Sequence, residues 1–278
     1  MKKNVLKKLI VFVVIGGIAI GIIGCDNSNT NNSNKSSEVN SSSIKEIKEK
    51  GKIVVGTSAD YPPYEFHKEI DGKDQIAGID ISIAQEVAKD LGVEIEIKDM
   101  DFDGLLVSLQ AGKSDIVFAA MNPTDERREN ADFSDIYNKE KNIFIVRKGE
   151  EDSIKSLADF KNKKIGVQKG SVQETLVKEN IQDVEIKGLG KATDLILDLK
   201  NKKVDAILLD SPVAKFNCEK NADIALTSIT LEAKEDGAAI AMKKGSTELQ
   251  TEINKTIKRL KDEGKIDEFA VEANKLMD

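Results

Sequence analysis

Residues 52–66, KIVVGTSADYPPYEF, place a short apolar run directly before a loop that two adjacent prolines stiffen. The run Lys52-Ile-Val-Val-Gly-Thr predicts a β-strand. Apolar residues then recur at helical spacing from Ile79 to Leu91, and Gly92 follows as a helix stop. Residues 93–97 alternate between apolar and acidic side chains, which predicts a second strand. A strand, a helix and another strand in this order predict an α/β unit built on a mainly parallel sheet.

The same alternation continues along the rest of the chain. A helix face that ends at Gly112 precedes a predicted strand from Asp115 to Met121, and a second series begins after Gly149. Its predicted strands cover residues 164–168, 184–186 and 204–209, its predicted helices cover 171–180 and 192–199, and two closing helices cover about 247–263 and 266–277. Two α/β units therefore follow one another.

Two extended apolar segments, residues 142–146 and 238–242, connect these units and predict a hinge of two strands. The predicted fold class is therefore α/β, with two lobes of mainly parallel sheet joined by that hinge. Residues 44–141 are predicted to form the first part of lobe 1. Residues 142–240 are predicted to form lobe 2, and residues 241–278 the C-terminal part of lobe 1.

Residues 1–24 have the pattern of a secretory signal peptide. A basic start precedes an uncharged apolar run over residues 9–23, which is shorter than the roughly 20 residues that span a bilayer. A short membrane-anchor helix is the alternative. The sequence Ile22-Ile-Gly-Cys25 resembles the bacterial lipoprotein box, which implies cleavage before Cys25 and lipid attachment to its sulfur. After that cysteine, residues 26–43 are almost all Asn and Ser, so the segment 25–43 is predicted to be a flexible tether. The protein is thus predicted to be exported and anchored to the outer face of the cell membrane.

Composition argues against several classes of function. The net charge of −7 and the pI of about 5.1 argue against a nucleic-acid binder, which would carry a basic stripe. His67 is the only histidine, so a zinc site with two histidines is excluded, and a Ser–His–Asp triad would depend on this one residue. No nucleotide-binding glycine fingerprint is present. The sequence predicts no catalytic residue, metal or cofactor, and Cys218 is interpreted as a structural thiol.

Three positions combine useful chemistry with the carboxyl ends of strands, where open α/β sheets bind ligands, or with the helix that follows. Tyr61 follows the first strand and offers a flat apolar face with a polar tip. Phe102 lies just before a helix. A packed turn and ordinary core are the plainer explanations of these two rings. Asp210 ends a strand, where it could receive an ammonium group or cap the helix that follows.

A fourth position lies in residues 121–128, MNPTDERR, which predict a helix start. Thr124 is a good N-cap, and the free backbone N–H groups of such a start favour an anion. Arg127 adds a planar guanidinium that suits a carboxylate. The alternative is that Arg127 and Arg128 form ion pairs with nearby acids on the surface.

Together these stretches resemble the polar amino-acid family of solute-binding proteins of ABC importers. The order and spacing of the motifs match from about residue 44 to the C-terminus. The segments that carry the resemblance are Gly56–Phe66, Gly78-Ile-Asp-Ile, Phe102-Asp-Gly-Leu-Leu, LQAGKSDI at 109–116, MNPTDER at 121–127, Val167-Gln-Lys-Gly-Ser and VDAILLD at 204–210.

The resemblance implies two lobes that close on one free L-amino acid and an ABC importer permease that receives it. The protein would act as a monomer, without a cofactor. The implied ligand contacts are Arg127, the amides near Ala120 and Asn122 and the backbone around Ser171 and Val172 for the carboxylate, Asp210 and the carbonyl of Ala120 for the ammonium, Tyr61 and Phe102 for the side chain, and Ser58 and Gln168 for its distal end.

Two positions depart from the family pattern. Many relatives carry an acid where this chain has Ser82, and relatives that bind basic side chains often carry Asp where it has Ser58. The second departure weakens the expectation of arginine or lysine. A Tyr–Phe sandwich nevertheless suits a planar guanidinium, so a basic ligand is mildly favoured. An amino-acid-sensing module that acts with a separate signalling protein is the alternative function, and an enzyme on the same fold is a further one.

Overall fold

The computed structural model describes residues 44–139, 141–234 and 237–277. The predicted signal peptide, the predicted lipidation site at Cys25 and the predicted tether lie outside these residues. Within the described ranges, no helix combines the length and the apolar character needed to cross a membrane.

Thirteen strands, nine α-helices and three short 3-10 turns make up this described part of the chain. Numbered in chain order, the strands are β1 (Lys52–Thr57), β2 (Asp60–Tyr61), β3 (Glu65–Ile70), β4 (Lys73–Ala77), β5 (Glu94–Asp99), β6 (Ile116–Val117), β7 (Ala131–Phe133), β8 (Asn142–Arg147), β9 (Lys164–Gln168), β10 (Glu185–Leu189), β11 (Ala206–Asp210), β12 (Ile224–Leu231) and β13 (Ala241–Lys243). The helices are α1 (Ile44–Lys50), α2 (Ile79–Leu91), α3 (Leu105–Gln110), α4 (Asp125–Asn130), α5 (Val172–Asn180), α6 (Ala192–Lys200), α7 (Ser211–Lys220), α8 (Thr247–Asp262) and α9 (Lys265–Leu276), and the 3-10 turns cover Phe102–Gly104, Glu151–Ser153 and Leu157–Phe160.

Lobe 1 is built on a five-stranded sheet in the order β5-β1-β6-β13-β7. The central strand β1 pairs in parallel with β5 and β6, whereas β13 is antiparallel to both β6 and β7. Ile53 and Val55 of β1 are fully buried, as the strand's apolar composition requires. Helices α2, α8 and α9 pack against one another beside this sheet.

Lobe 2 is built on a second five-stranded sheet in the order β10-β9-β11-β8-β12. Strand β9 is parallel to β10 and β11, while β8 is antiparallel to β11 and β12. Helices α5, α6 and α7 pack on this sheet. The rings of Phe144 and Phe160 meet in its core with their centroids 4.3 Å apart.

The chain passes from the lobe 1 sheet to the lobe 2 sheet between Phe133 and Asn142, and returns between Leu231 and Ala241. An isolated antiparallel bridge joins Asn138 to Ala238, so the two crossings lie side by side. This arrangement agrees with the predicted α/β fold of two lobes. The exact domain boundaries stay a prediction.

Three local differences from the sequence-based expectations have physical reasons. The predicted strand from Asp115 to Met121 is regular only over Ile116–Val117, because Ala120 takes a left-handed backbone conformation with φ 45°. The segment 142–146, expected to be only a connection, is the internal strand β8. The loop after β1 also contains β2, which pairs with the hairpin of β3 and β4 in a small third sheet.

Gly78 fixes the entry into α2. Its φ is 131°, a region that L side chains rarely adopt, and a Cβ atom there would lie 2.1 Å from the carbonyl oxygen of Tyr64. The backbone of Tyr64 accepts a hydrogen bond from the N–H of Asp80 at 3.0 Å. Glycine therefore allows α2 to begin directly against the loop that carries Tyr61.

Candidate ligand-binding site

Tyr61 reaches from lobe 1 to the carboxyl end of β11 in lobe 2. Its phenolic O–H donates to Oδ2 of Asp210 at 3.2 Å, and its oxygen accepts from the backbone N–H of Asp210 at 3.2 Å. Burial, with the nearby charge of Asp210, raises the pKa of Tyr61 well above its usual value. The side chain of Asp210 makes no capping hydrogen bond to α7, so the alternative of a helix cap does not describe it.

Ala120, just beyond the end of β6, is held by a buried carboxylate. Its N–H donates to Oδ2 of Asp80 at 2.9 Å, and the O–H of Tyr137 donates to Oδ1 of Asp80 at 2.7 Å. Because Asp80 takes this N–H, the amide of Ala120 does not face a ligand carboxylate as expected. The implied role of its carbonyl, toward an ammonium group, is not affected.

A second buried carboxyl lies beside Asp80. Burial raises the pKa of Asp80 to about 6, although the hydrogen bonds from Ala120 and Tyr137 oppose that rise. Burial and then the charge of Asp80 raise the pKa of Glu65 well above its usual value. The raised pKa favours the protonated form of Glu65 beside Asp80. The support beneath Ala120 is therefore a pair of buried carboxyl groups.

Arg127 lies at the boundary between the lobes. Its backbone N–H donates to the capping Oγ1 of Thr124 at 3.3 Å, as the sequence predicts. Nη1 donates to the carbonyl of Asn122 at 2.7 Å, and Nη2 donates to the carbonyl of Gly170 in lobe 2 at 2.8 Å. The guanidinium carbon lies 5.3 Å from the ring centroid of Phe102. Burial lowers the pKa of Arg127 to about 10, so the group stays charged at neutral pH.

Arg128 has different surroundings from Arg127. Its Nε donates to the carbonyl of Pro123 at 2.9 Å, and its guanidinium carbon lies 5.5 Å from the ring of Phe133. Phe133 belongs to β7 at the edge of the lobe 1 sheet. The two adjacent arginines therefore lie against different rings, and Arg127 contacts lobe 2 through the carbonyl of Gly170.

Lobe 2 contributes the N-terminus of α5. Ser171 caps this helix through its Oγ, which accepts from the N–H of Glu174 at 3.3 Å, and Val172 is the first helical residue. The Nε2 of Gln173 donates to Oδ1 of Asp210 at 3.2 Å and to Oδ1 of Asn142 at 2.8 Å. Gln173 is not among the ligand contacts predicted from the sequence. Its place in the first turn of a capped helix, next to Val172, is the signal that could have found it.

A small cavity between the lobes gathers most of the predicted ligand contacts. Its volume is about 10 Å³, room for roughly one water molecule. Its lining residues are Tyr61, Phe102, Ala119, Ala120, Asn122, Gln168, Ser171, Val172, Gln173 and Asp210. An amino acid therefore needs these walls to move apart before it can bind.

Two of the predicted contacts, Ser58 and Arg127, do not line this cavity. Ser58 is buried and donates from Oγ to Oδ1 of Asp60 at 2.6 Å. Arg127 lines a neighbouring pocket of about 300 Å³, which shares Ser171 and Val172 with the cavity. The guanidinium therefore borders the cavity from the side of that larger pocket.

The described residues contain no group of three or more His, Cys, Asp or Glu side chains that could hold a metal ion. Cys218 is half-buried, and burial raises the pKa of its thiol to about 11. This environment agrees with the interpretation of Cys218 as a structural thiol, because a reactive cysteine needs a lowered pKa.

A buried set of polar groups between two α/β lobes, at the carboxyl ends of β1, β6 and β11, defines a ligand-binding protein of the periplasmic-binding-protein fold. The chain belongs to the bacterial extracellular solute-binding proteins, family 3, whose model matches residues 53–272. This family consists of extracellular solute-binding proteins, which confirms the prediction that the protein is exported.

Two relatives in this family cover 80 to 95% of the chain. The arginine-binding extracellular protein ArtP of Bacillus subtilis (strain 168) is 34% identical over 267 residues, which are 95% of this chain and 96% of ArtP. The L-cystine-binding protein TcyJ of Escherichia coli (strain K12) is 33% identical over 222 residues, 80% of this chain and 82% of TcyJ. These proteins bind solutes, so the expectation of a binding protein rather than an enzyme agrees with the relatives.

Among solved structures, the amino acid ABC transporter substrate-binding protein AbpA of Streptococcus pneumoniae Canada MDR_19A, bound to L-arginine, superposes with a TM-score of 0.81. It is 43% identical, and the match covers 84% of this chain and 98% of that one. The likeness confirms both the fold and the predicted membership among solute-binding proteins of ABC importers.

Proposed function

We propose that this protein captures a free L-amino acid, with arginine preferred, between its two lobes and delivers it to an ABC importer permease. The observation that carries the proposal is the placement of two opposite charges at one small cavity. Asp210 lines the cavity from lobe 2, and Arg127 borders it from lobe 1. A zwitterionic amino acid offers the complementary pair of charges.

The ligand carboxylate is assigned to the Arg127 side of the cavity. There the guanidinium now donates to two backbone carbonyls, those of Asn122 and Gly170, which are neutral acceptors. A carboxylate is a stronger acceptor and also suits the N–H groups at the start of α5, near Ser171 and Val172. Binding would thus replace hydrogen bonds from Arg127 to neutral carbonyls by hydrogen bonds to a charged carboxylate.

The ligand ammonium is assigned to Asp210 and to the carbonyl of Ala120. Tyr61 and Gln173 each donate to a different oxygen of Asp210, so the carboxylate is held in one orientation from both lobes. The left-handed backbone at Ala120, fixed by Asp80, sets the direction of the carbonyl.

The ligand side chain is assigned to the space between Tyr61 and Phe102. Both rings line the cavity, and the guanidinium of Arg127 already lies over Phe102. A planar guanidinium of the ligand could stack in the same way. ArtP and AbpA, which are named for arginine or bound to it, support this choice among amino acids. Ser58 and Gln168 stay proposed contacts for the distal end.

The remaining parts of the proposal concern the whole chain. We propose that Cys25 carries the lipid anchor, that residues 25–43 are the tether, and that the chain is a monomer that hinges at residues 141–142 and 240–241. Hinge closure around a ligand is the usual motion of two-lobed binding proteins. A permease would then bind the closed form.

Titration calorimetry on the chain from residue 26, with each of the twenty amino acids and with cystine, tests the function. We expect arginine to bind with the highest affinity. At about 100 times its dissociation constant it should add about 2.7 kcal/mol to the free energy of unfolding. Absence of heat and of thermal stabilisation with every compound would refute the proposal, and tighter binding of a neutral amino acid would refute the preference for arginine.

A further inference from the structure

A buried carboxylate links the two lobes beside the cavity. Asp60 of β2 is 6% exposed, and its Oδ2 accepts a hydrogen bond from the backbone N–H of Ala192, the first residue of α6. Its Oδ1 accepts from the hydroxyl of Ser58 at 2.6 Å. Strand β2 belongs to lobe 1 and α6 packs on the lobe 2 sheet, so this bond forms only when the lobes are together.

Helix α6 has no cap of its own. The residue at its N-cap position, Lys191, provides no side-chain hydrogen bond to the first turn. The N–H groups at a helix start need acceptors, and a negative charge there is favoured by the helix dipole. Asp60 supplies both the acceptor and the negative charge, from a strand 132 residues away in sequence.

Two other hydrogen bonds between the lobes involve groups that the ligand would use. The hydrogen bonds from Tyr61 to Asp210 and from Arg127 to Gly170 fall in this class. Neither Asp60 nor Ala192 lines the cavity. The bond between them can therefore persist while a ligand occupies the site.

We propose that Asp60 is a positioning residue for lobe closure, which caps α6 across the lobe boundary and thereby slows release of the bound ligand. The inference rests on the proposed function, because it assigns the bond a role in retention of an amino acid. Ser58, which stays a proposed contact for the distal end of the ligand, also fixes the orientation of the Asp60 carboxylate.

The matched partner change is Ala192→Pro, which removes the N–H donor and leaves the Asp60 carboxylate in place. Proline is well tolerated at the first position of a helix. The preceding residue, Lys191, already has the extended backbone that proline requires before it, with φ −116° and ψ 134°. Asp60→Ala removes the acceptor, and Asp60→Asn keeps an acceptor but removes the charge.

Stopped-flow dissociation of arginine from these variants tests the proposal. We expect Asp60→Ala to speed dissociation roughly 2- to 30-fold, the range that loss of a helix cap gives. Ala192→Pro should have a similar effect, and the double variant should add little to either. Asp103→Asn is the control. It breaks an exposed pair with Lys169 between the same lobes and should change the rate less than about twofold.

Several outcomes would overturn the inference. One is an unchanged dissociation rate in Asp60→Ala. Another is a double variant in which the effects of Asp60→Ala and Ala192→Pro on the rate multiply, because independent effects would mean that Asp60 acts on the ligand and not through Ala192. If the wild type does not bind arginine, the preference for that ligand fails separately. Amide hydrogen exchange by NMR then decides the role of Asp60. Equal protection of the Ala192 N–H in the wild type and in Asp60→Ala would overturn it.

Discussion

The phenolic oxygen of Tyr61 lies 3.2 Å from Oδ2 of Asp210 and 3.2 Å from the backbone nitrogen of the same residue. One hydroxyl thus donates to the carboxylate and accepts from the main chain of the opposite lobe. The ring that lines the cavity from lobe 1 is oriented by the residue that we assign to the ligand ammonium. The position of the ligand's side chain and the position of its ammonium group are therefore coupled in the closed form.

Replacement of Arg127 should abolish tight binding. In Arg127→Ala the ligand carboxylate loses its charged partner in a buried setting, and we expect the dissociation constant to rise by about a hundredfold or more. Calorimetric titration with arginine measures it. Arg128→Ala is the matched control and should change affinity less than about threefold, because Arg128 packs on Phe133 away from the cavity. Equal losses in the two variants would contradict the assignment.

Asp210→Asn should weaken binding through the ammonium group. The amide keeps the size of the side chain and removes its charge, so we expect the dissociation constant to rise by about tenfold or more. Asp223→Asn is the control in the same lobe, since Asp223 is exposed and pairs with Lys200. Full retention of affinity by Asp210→Asn, measured by the same titration, would show that the ammonium lies elsewhere.

Glu65→Gln should change how stability depends on pH. Below about pH 4.5 both the folded and the unfolded wild type hold the proton on Glu65, so the difference between wild type and variant is constant. Above that pH the unfolded chain loses the proton while the folded chain keeps it, because the folded pKa is raised. The wild type should therefore lose stability relative to the variant as pH rises, by about 1.4 kcal/mol per pH unit in this window.

Urea unfolding of both proteins from pH 4 to pH 7 measures this difference. The comparison with the variant removes the contribution of the carboxylates whose pKa is lowered, such as Glu86 and Asp90, because both proteins share them. A difference between the two proteins that does not vary with pH would show that Glu65 is ionised in the folded protein.

Cys218 should react slowly with alkylating reagents in the folded protein. A thiol with a pKa of about 11 has, at neutral pH, roughly a hundredth or less of the thiolate of an ordinary cysteine. Iodoacetamide labelling in the native state, compared with labelling in urea, measures this. Equal rates in the two conditions would contradict a buried thiol.

Much of the fold could be predicted because its elements are set by local patterns. The apolar runs and stop signals located most strands and helices, and the Thr124 cap identified the start of α4. The strand predicted to end at Met121 is shorter in the structure. The prediction was too long because the apolar residues continue past Ala120, where the backbone turns. That turn depends on Asp80, which is 40 residues away.

Local sequence patterns also predicted part of the site. Residues at the carboxyl ends of strands could be found from the sequence, and they meet at one cavity. The roles of Gln173 and Asp60 depend on how the two lobes pack, which no local pattern records. Ser58 shows the limit most clearly, because its partner is the carboxylate two residues further on, and that carboxylate is bonded to the start of α6.

The strand β13 has a consequence for synthesis of the chain. It lies between β6 and β7, pairs with both, and comes from residues 241–243. The strands of the lobe 2 sheet are all made before it, from residues 142–231. An emerging chain can therefore complete the sheet of lobe 2 first, while β6 and β7 wait for a partner that arrives last. Because that long loop must close before the sheet of the more N-terminal lobe is complete, we expect this lobe to be assembled after lobe 2.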